Sequence, residues 1–173
     1  ILDSSRFIYF LSQELNIRVQ DIKSFVLGGH GDTMVAMLGS TEVSGKKIID
    51  LVKEGKIRKE KLDEIIERTK KGGAEIVKYL ENGSAFYAPA ASGVQMAESY
   101  LKDKKMQLPC AAYLNGEYGI KEVYAGVPVI IGNKGVEKII EIKLSKEEED
   151  NFKKSVQSVK DLYSAAKNID SEL

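Results

Sequence analysis

The 173-residue sequence has one cysteine, one histidine, three prolines and no tryptophan. A single cysteine excludes an intrachain disulfide and favours a reducing compartment, so we expect a cytoplasmic protein. One histidine and one cysteine supply too few soft ligands for a structural zinc site, and we therefore predict no metal centre.

The chain also has no excess of either charge and no long hydrophobic run. Its 26 basic side chains balance 26 acidic ones, which gives no reason to expect nucleic acid or an anionic membrane as a partner. Apolar stretches such as residues 127–131 fall far short of the roughly 20 residues that cross a bilayer, and no secretory leader opens the sequence. These absences predict a soluble protein.

The length corresponds to about one domain, and an apolar content of 43% is enough for a core. The first residue is Ile1, and a helical pattern starts almost at once. We therefore expect residues 1–173 to be one domain of a longer polypeptide whose upstream part is missing.

Several segments have the spacing of amphipathic helices. The first has its apolar stripe at Phe7, Leu11 and Leu15, after polar residues that could cap it. A long helix over residues 59–80 is interrupted by two adjacent glycines, which predicts a kink or a close packing contact there. Two further helices are predicted, one from Pro89 and one after the Ser-x-x-Glu capping box formed by Ser145 and Glu148.

Strand-like runs alternate with these helices and are separated by short turns. The runs are residues 22–27, 34–43, 46–49, 108–114, 120–124, 127–131 and 136–144. Short turns join strands that run antiparallel. The pattern predicts an α+β domain in which long helices cover one side of a mainly antiparallel sheet.

Three polar residues could carry chemistry: Asp3, Arg6 and His30. Asp3 and Arg6 are three apart at a helix start, and His30 lies in a glycine-rich loop after a predicted strand. A histidine beside a carboxylate, from either Asp3 or Asp32, is suited to acid-base work on a hydroxyl group. An arginine matches a carboxylate with two parallel hydrogen bonds. The set suits a small 2-hydroxy or 2-oxo acid.

The same residues have ordinary structural interpretations. Asp3 could simply cap the helix, Arg6 could be a surface charge, and His30 could be a solvated loop residue. Residue types and spacing alone leave these alternatives open.

Three motifs taken in order are more informative than the single residues. They are Leu-Asp-Ser-Ser-Arg-Phe at 2–7, Gly-Gly-His-Gly-Asp-Thr-Met-Val at 28–35 and Gly-Ser-Ala-Phe-Tyr-Ala-Pro at 83–89. Their order and spacing resemble the C-terminal, substrate-binding half of the lactate/malate dehydrogenase family, and the resemblance covers the whole chain. Gly-Glu-Tyr-Gly at 116–119 and Gly-Val-Pro-Val at 126–129 are also similar to that family.

The resemblance implies a role for each motif residue. His30 would be the proton acceptor in hydroxy-acid oxidation, Asp3 would orient it, and Arg6 would bind the substrate carboxylate. Gly29 before the histidine and the loop at 84–89 are similar to the malate dehydrogenases that resemble lactate dehydrogenases in sequence. Ala85 and Pro89 would accordingly lie near the nicotinamide of NAD.

Two features of that family are missing from this sequence. No Gly-x-Gly-x-x-Gly follows a strand, so the Rossmann domain that holds the NAD phosphates is absent. The mobile loop that brings further arginines to the substrate is absent as well. The chain is therefore expected to be inactive alone, because hydride transfer needs both reactants held together.

The sequence leads to one main hypothesis and three alternatives. The main one is the C-terminal domain of an NAD-dependent malate dehydrogenase of the tricarboxylic acid cycle, homo-oligomeric through the first helix and the 59–80 helix. The alternatives are a lactate dehydrogenase domain, a non-catalytic oligomerisation or ligand-binding module of the same fold, and an unrelated α+β protein in which His30 is structural.

Overall fold

Helices lie at both ends of the chain in the computed structural model, which describes residues 1–170. They are α1 (Leu2–Leu15), α2 (Ile48–Lys53), α3 (Lys59–Lys70), α4 (Gly72–Leu80), α5 (Tyr87–Leu101) and α6 (Lys146–Ile169). The predicted capping box begins α6: the Ser145 hydroxyl accepts the Glu148 N–H, and the Glu148 carboxylate accepts the Ser145 N–H. Within residues 1–170, no helix combines the length and apolar character that crossing a bilayer requires.

The strands form three small sheets in which every pairing is antiparallel. One sheet has the order β1-β4-β5, the second pairs β2 with β3, and the third has the order β6-β7-β8. The strands are β1 (Ile22–Lys23), β2 (Val26–Leu27), β3 (Val35–Ala36), β4 (Glu42–Val43), β5 (Lys46–Lys47), β6 (Met106–Asn115), β7 (Lys121–Gly132) and β8 (Gly135–Ile139). The predicted α+β class is confirmed.

Buried apolar side chains form two clusters that meet at β2. The first cluster surrounds β6, β7 and α6 and includes Leu27 and Phe152. The second lies between α1, α2, α3 and the short strands and includes Val26 and Phe7. Successive strand residues point to opposite faces, so Val26 and Leu27 contribute one side chain to each cluster. The glycine-rich loop that follows β2 is therefore anchored between the two.

The prediction of one continuous strand over residues 22–27 is wrong. Residues 22 and 23 pair with β4, whereas residues 26 and 27 pair with β3 in another sheet. The chain changes partner at Ser24, whose hydroxyl is buried and lies 2.7 Å from the Thr41 hydroxyl. An apolar run does not reveal where a strand leaves one sheet for another.

Four further predicted boundaries differ from the structure. The strand predicted at 34–43 is broken by a 3₁₀ turn, Leu38–Ser40, and residues 48 and 49 begin α2 instead of ending a strand. The last strand stops at Ile139 instead of residue 144. The helix predicted from Pro89 begins two residues earlier, at Tyr87, which places the proline inside the first turn, where its missing N–H is tolerated.

Two glycines that the pattern predicts to interrupt an element, Gly72 and Gly126, have different roles in the structure. Gly72 divides the predicted 59–80 helix into α3 and α4, as the pattern suggested, and the Arg6 side chain packs on it. Gly126 was predicted to separate two strands, but it lies inside the continuous strand β7. A Cβ at Gly126 would lie 2.8 Å from the Gly28 carbonyl oxygen, so the glycine permits a close backbone approach and not a turn.

Candidate active site

The Asp3 carboxylate links the two other predicted site residues. Its Oδ2 lies 2.7 Å from Nδ1 of His30, and its Oδ1 accepts a longer hydrogen bond of 3.4 Å from Nη1 of Arg6. The structure thus brings together residues that are up to 27 positions apart in the sequence. The carboxylate that meets His30 is that of Asp3, while Asp32 lies in the 3₁₀ turn Gly31–Thr33.

The start of α1 places Asp3 and Arg6 on the same side of the helix. The helix begins at Leu2 with Ile1 as its N-cap, and no side chain caps it. The capping interpretation of Asp3 is therefore wrong: Asp3 lies in the first turn, where an acidic group is favoured by the helix dipole. Residues three apart on a helix are neighbours, which brings the Arg6 guanidinium to the same carboxylate.

His30 is presented by the loop that follows β2. Glycines at 28 and 31 adopt positive φ angles of 90° and 76°, which most other residues avoid. The His30 side chain is 68% exposed, and its Nδ1 contacts the Asp3 carboxylate. The ring is therefore tied at Nδ1 and open to a ligand elsewhere.

The Arg6 side chain is largely buried, so the surface-charge interpretation of this residue is wrong. Its side chain is only 10% exposed, and within residues 1–170 its Nε is a buried nitrogen without a hydrogen-bond partner. Its stem lies on the backbone of Gly72, where an added Cβ would be 2.9 Å from the Arg6 Cδ. Buried donors are normally paired, so a guanidinium that keeps one unpaired buried nitrogen is suited to an acceptor from outside the chain.

A cleft of about 340 Å³ is lined by Asp3 and His30 but not by Arg6. Asp3 and His30 lie at its edge beside Tyr124, Val159 and Cys110. Burial raises the pKa of the Cys110 thiol, which keeps it protonated and disfavours a nucleophilic role.

Ala85 and Pro89, the residues expected near the nicotinamide, lie outside that cleft. Ala85 is half-buried in the loop before α5, and Pro89 is exposed in the first turn of that helix. Between them, the rings of Phe86 and Tyr87 are exposed and contact each other in a tilted arrangement, with centroids 4.7 Å apart. The structure therefore places these two residues on a separate exposed surface.

Two serines that hold the site together were missed at the level of sequence. The Ser4 hydroxyl accepts the Val26 N–H at 2.9 Å, and the Ser155 hydroxyl accepts the Gly29 N–H at 2.8 Å. Ser155 is 126 positions from its partner, and no local pattern could have indicated that contact.

The arrangement can act on a small acid that carries a hydroxyl group beside its carboxylate. An imidazole held by a carboxylate at one nitrogen can exchange a proton at the other. A guanidinium that keeps an unpaired buried nitrogen can bind a carboxylate. In the described part of the chain, no group of three or more His, Cys, Asp or Glu side chains is placed to hold a metal ion.

Comparison with known proteins identifies the fold and the family. Residues 1–169 match the model of the lactate/malate dehydrogenase α/β C-terminal domain. The chain is 65% identical over 173 residues to a malate dehydrogenase from Pelagibacter ubique (strain HTCC1062), covering 100% of this chain and 54% of that protein.

Two solved structures give the same result. The crystal structure of Cryptosporidium parvum malate dehydrogenase is 45% identical, with a TM-score of 0.92 over 96% of this chain and 53% of that one. The lactate dehydrogenase of the same organism, solved with lactic acid and nicotinamide adenine dinucleotide, is 41% identical, with a TM-score of 0.95 over 97% of this chain and 53% of that one. The chain spans about half the length of these relatives, and it belongs to the lactate/malate dehydrogenase family, whose α/β C-terminal domain it matches.

Proposed function

We propose that residues 1–173 form the substrate-binding and catalytic domain of an NAD-dependent malate dehydrogenase. In the intact enzyme, (S)-malate and NAD would be converted to oxaloacetate and NADH. The observation that carries this proposal is the Asp3 carboxylate, which meets the His30 ring at 2.7 Å and the Arg6 guanidinium at 3.4 Å. The 65% identity to a malate dehydrogenase supports it.

His30 would take the hydroxyl proton of malate. Because Nδ1 faces Asp3, the nitrogen left for the substrate is Nε2. When that nitrogen accepts the proton, the ring becomes a cation beside a carboxylate that is only 15% exposed. Asp3 would stabilise this cation and keep the ring in the required orientation. In the reverse reaction, the same ring returns the proton to the oxygen of oxaloacetate.

Arg6 would bind the carboxylate next to the reacting carbon. Its guanidinium is rigid, always charged and mostly removed from water, which strengthens a paired hydrogen bond to an anion. Because Arg6 and His30 contact the same Asp3 side chain, a substrate held by Arg6 lies within reach of the imidazole. This restriction on position is a large part of what an active site contributes to rate.

The residues of this domain would meet only the nicotinamide end of the cofactor. Bound NAD supplies the hydride acceptor. Ala85 and Pro89, which the resemblance implies near the nicotinamide, lie outside the cleft lined by Asp3 and His30. The nicotinamide would have to meet the substrate at that cleft, so these two residues do not support the proposal. The sequence lacks a glycine-rich phosphate loop, so binding of the pyrophosphate would fall to an N-terminal Rossmann domain.

We also propose a cytoplasmic homo-oligomer that acts in the tricarboxylic acid cycle. The single cysteine supports a reducing compartment. Exposed aromatic side chains on α1 and α4, Tyr9 at 51% and Tyr79 at 78%, support subunit contacts through these helices. Sedimentation of the intact protein as a monomer would contradict the oligomer.

The test of the proposed function is the substrate preference of the full-length enzyme with NADH. We expect kcat/KM for oxaloacetate to exceed that for pyruvate at least about 100-fold, because a site built for a charged group rejects an analogue that lacks it. A preference for pyruvate would favour the lactate dehydrogenase alternative, which the similarity to lactate dehydrogenase structures keeps open. Absence of turnover on both would favour the non-catalytic module.

A second prediction concerns Gly72, which supports the Arg6 side chain. An added Cβ would lie 2.9 Å from the Arg6 Cδ, so Gly72→Ala should displace the guanidinium. We expect kcat/KM for oxaloacetate to fall about 10-fold to 100-fold, because a misplacement of about 1 Å can cost about 100-fold in rate.

Two other helical glycines provide matched controls for Gly72→Ala. At Gly73 the added Cβ would be 3.9 Å from the guanidinium nitrogens, and at Gly93 nothing lies within 4 Å. Each of these two control changes should raise helix stability by about 1 kcal/mol. The Tm of Gly72→Ala, measured beside theirs, separates a loss of stability from displacement of Arg6. Steady-state kinetics should rank the loss Gly72 > Gly73 > Gly93, and equal activity in all three would show that Gly72 does not position Arg6.

A further inference from the structure

Three elements hold the short segment that leads to His30. The backbone of Gly28 exchanges two hydrogen bonds with Gly126 of β7, at 2.9 and 2.8 Å. The Gly29 N–H is donated to the Ser155 hydroxyl of α6 at 2.8 Å. Asp3 of α1 then holds the His30 ring itself. Asp3 therefore fixes the ring, whereas Gly126 and Ser155 fix the backbone before it.

Helix α6 lies directly against this backbone. A Cβ at Gly28 would be 2.2 Å from the Ser155 Oγ, and a Cβ at Gly29 would be 3.2 Å from a methyl group of Val159. Ser155 and Val159 are four apart, so both lie on one face of the helix. Ser155 is only 2% exposed, which leaves its hydroxyl little solvent to compete with the loop.

The N–H group that the Ser155 hydroxyl accepts differs from those that Ser4 and Ser99 accept. Ser4 and Ser99 accept N–H groups of residues 26 and 106, which belong to strands with ladder partners of their own. Gly29 lies beyond the end of β2, and Ser155 is the hydrogen-bond partner of its N–H. Glycine has wide backbone freedom, so removing the hydroxyl would free a peptide adjacent to His30 and leave a donor unpaired.

We propose that Ser155 is a positioning residue for catalysis: its hydroxyl fixes the Gly28-Gly29 peptide and so sets where the His30 ring meets the substrate. This inference rests on the proposed function of His30. Substrate binding is carried by Arg6, which lies on α1 and has no contact with Ser155 among those described. Loss of the hydroxyl should therefore impair proton transfer while leaving substrate affinity nearly intact.

The experiment is Ser155→Ala in the full-length enzyme, assayed with oxaloacetate and NADH. We expect kcat to fall about 10-fold to 100-fold, with KM for oxaloacetate and Kd for NADH within about twofold of wild type. We also expect the primary isotope effect on kcat with 4-deuterated NADH to increase or to stay at its full value, because the chemical step has become slower.

Ser99→Ala is the matched control, because Ser99 is fully buried and bonds two backbone groups far from His30. It should lower Tm at least as much as Ser155→Ala while kcat stays within about twofold. Equal losses of kcat in the two variants, or a wild-type kcat in Ser155→Ala, would overturn the inference and leave the proposed function standing. An inactive wild-type enzyme, or an active His30→Asn variant, would instead remove the proposed function and this inference with it.

Discussion

Replacement of His30 with asparagine is expected to lower kcat for oxaloacetate by about 10³-fold or more. Asparagine is close in size to histidine and can still donate a hydrogen bond to Asp3, but its amide does not exchange a proton near neutral pH. General acid-base catalysis contributes a rate factor of about 10² to 10⁴, and the substitution removes all of it. Binding of NADH should be nearly unchanged, because His30 takes no part in holding the cofactor phosphates.

The neighbouring acidic residue provides a control for the His30 prediction. Asp32 lies two positions further along the same exposed loop and does not meet the ring, so Asp32→Asn should keep kcat within about threefold. Stopped-flow measurement of the hydride step and fluorescence titration of NADH separate chemistry from binding. Turnover of His30→Asn at a rate comparable to wild type would contradict the assigned role.

Replacement of Arg6 with lysine should reduce kcat/KM for oxaloacetate about 100-fold. Lysine keeps the positive charge but loses the planar pair of donors that matches a carboxylate. A hydrogen bond to a charged group contributes about 1.5–3 kcal/mol, and about 1.4 kcal/mol corresponds to a factor of ten. The loss should appear in KM as well as kcat, because Arg6 would hold the substrate both before and during the reaction.

Arg18→Lys is the control for Arg6→Lys, because it makes the same chemical change away from the site. It also pairs with an aspartate three residues away, Asp21, but its side chain is 71% exposed. Arg18→Lys should leave kcat/KM within about twofold, since an exposed ion pair contributes little. An unaltered specificity constant in Arg6→Lys would rule out Arg6 as the group that binds the substrate carboxylate.

Local patterns in the sequence were sufficient to predict most of the architecture. The capping box at Ser145 and Glu148 and the stripe at Phe7 and Leu11 depend on residues within two turns of each other, and both were correctly interpreted. Chemical complementarity suggested the set Asp3, Arg6 and His30 but left ordinary structural interpretations open, and the resemblance of the three motifs to a known family is what implied a role for each residue. The structure then showed that Asp3 and not Asp32 is the carboxylate partner.

Features set by distant contacts could not be predicted in this way. Gly126 looks like a turn residue in sequence, and only the approach of Gly28 explains why a glycine is needed within β7. Ser155 looks like any polar residue of an amphipathic helix until the loop is placed against it. The break within residues 22–27 similarly depends on two different partner strands.

Because β2 lies between the two buried clusters, the packing of both clusters should affect catalytic activity. Val26 and Leu27 pack into different clusters, and the next two residues lead to His30. A cavity on either side of β2 would loosen the short segment between β2 and His30, even where the rest of the molecule stays ordered. Heating or mutation should therefore inactivate the enzyme before it unfolds, so that catalysis is the first property to fail when either half of the interior is weakened.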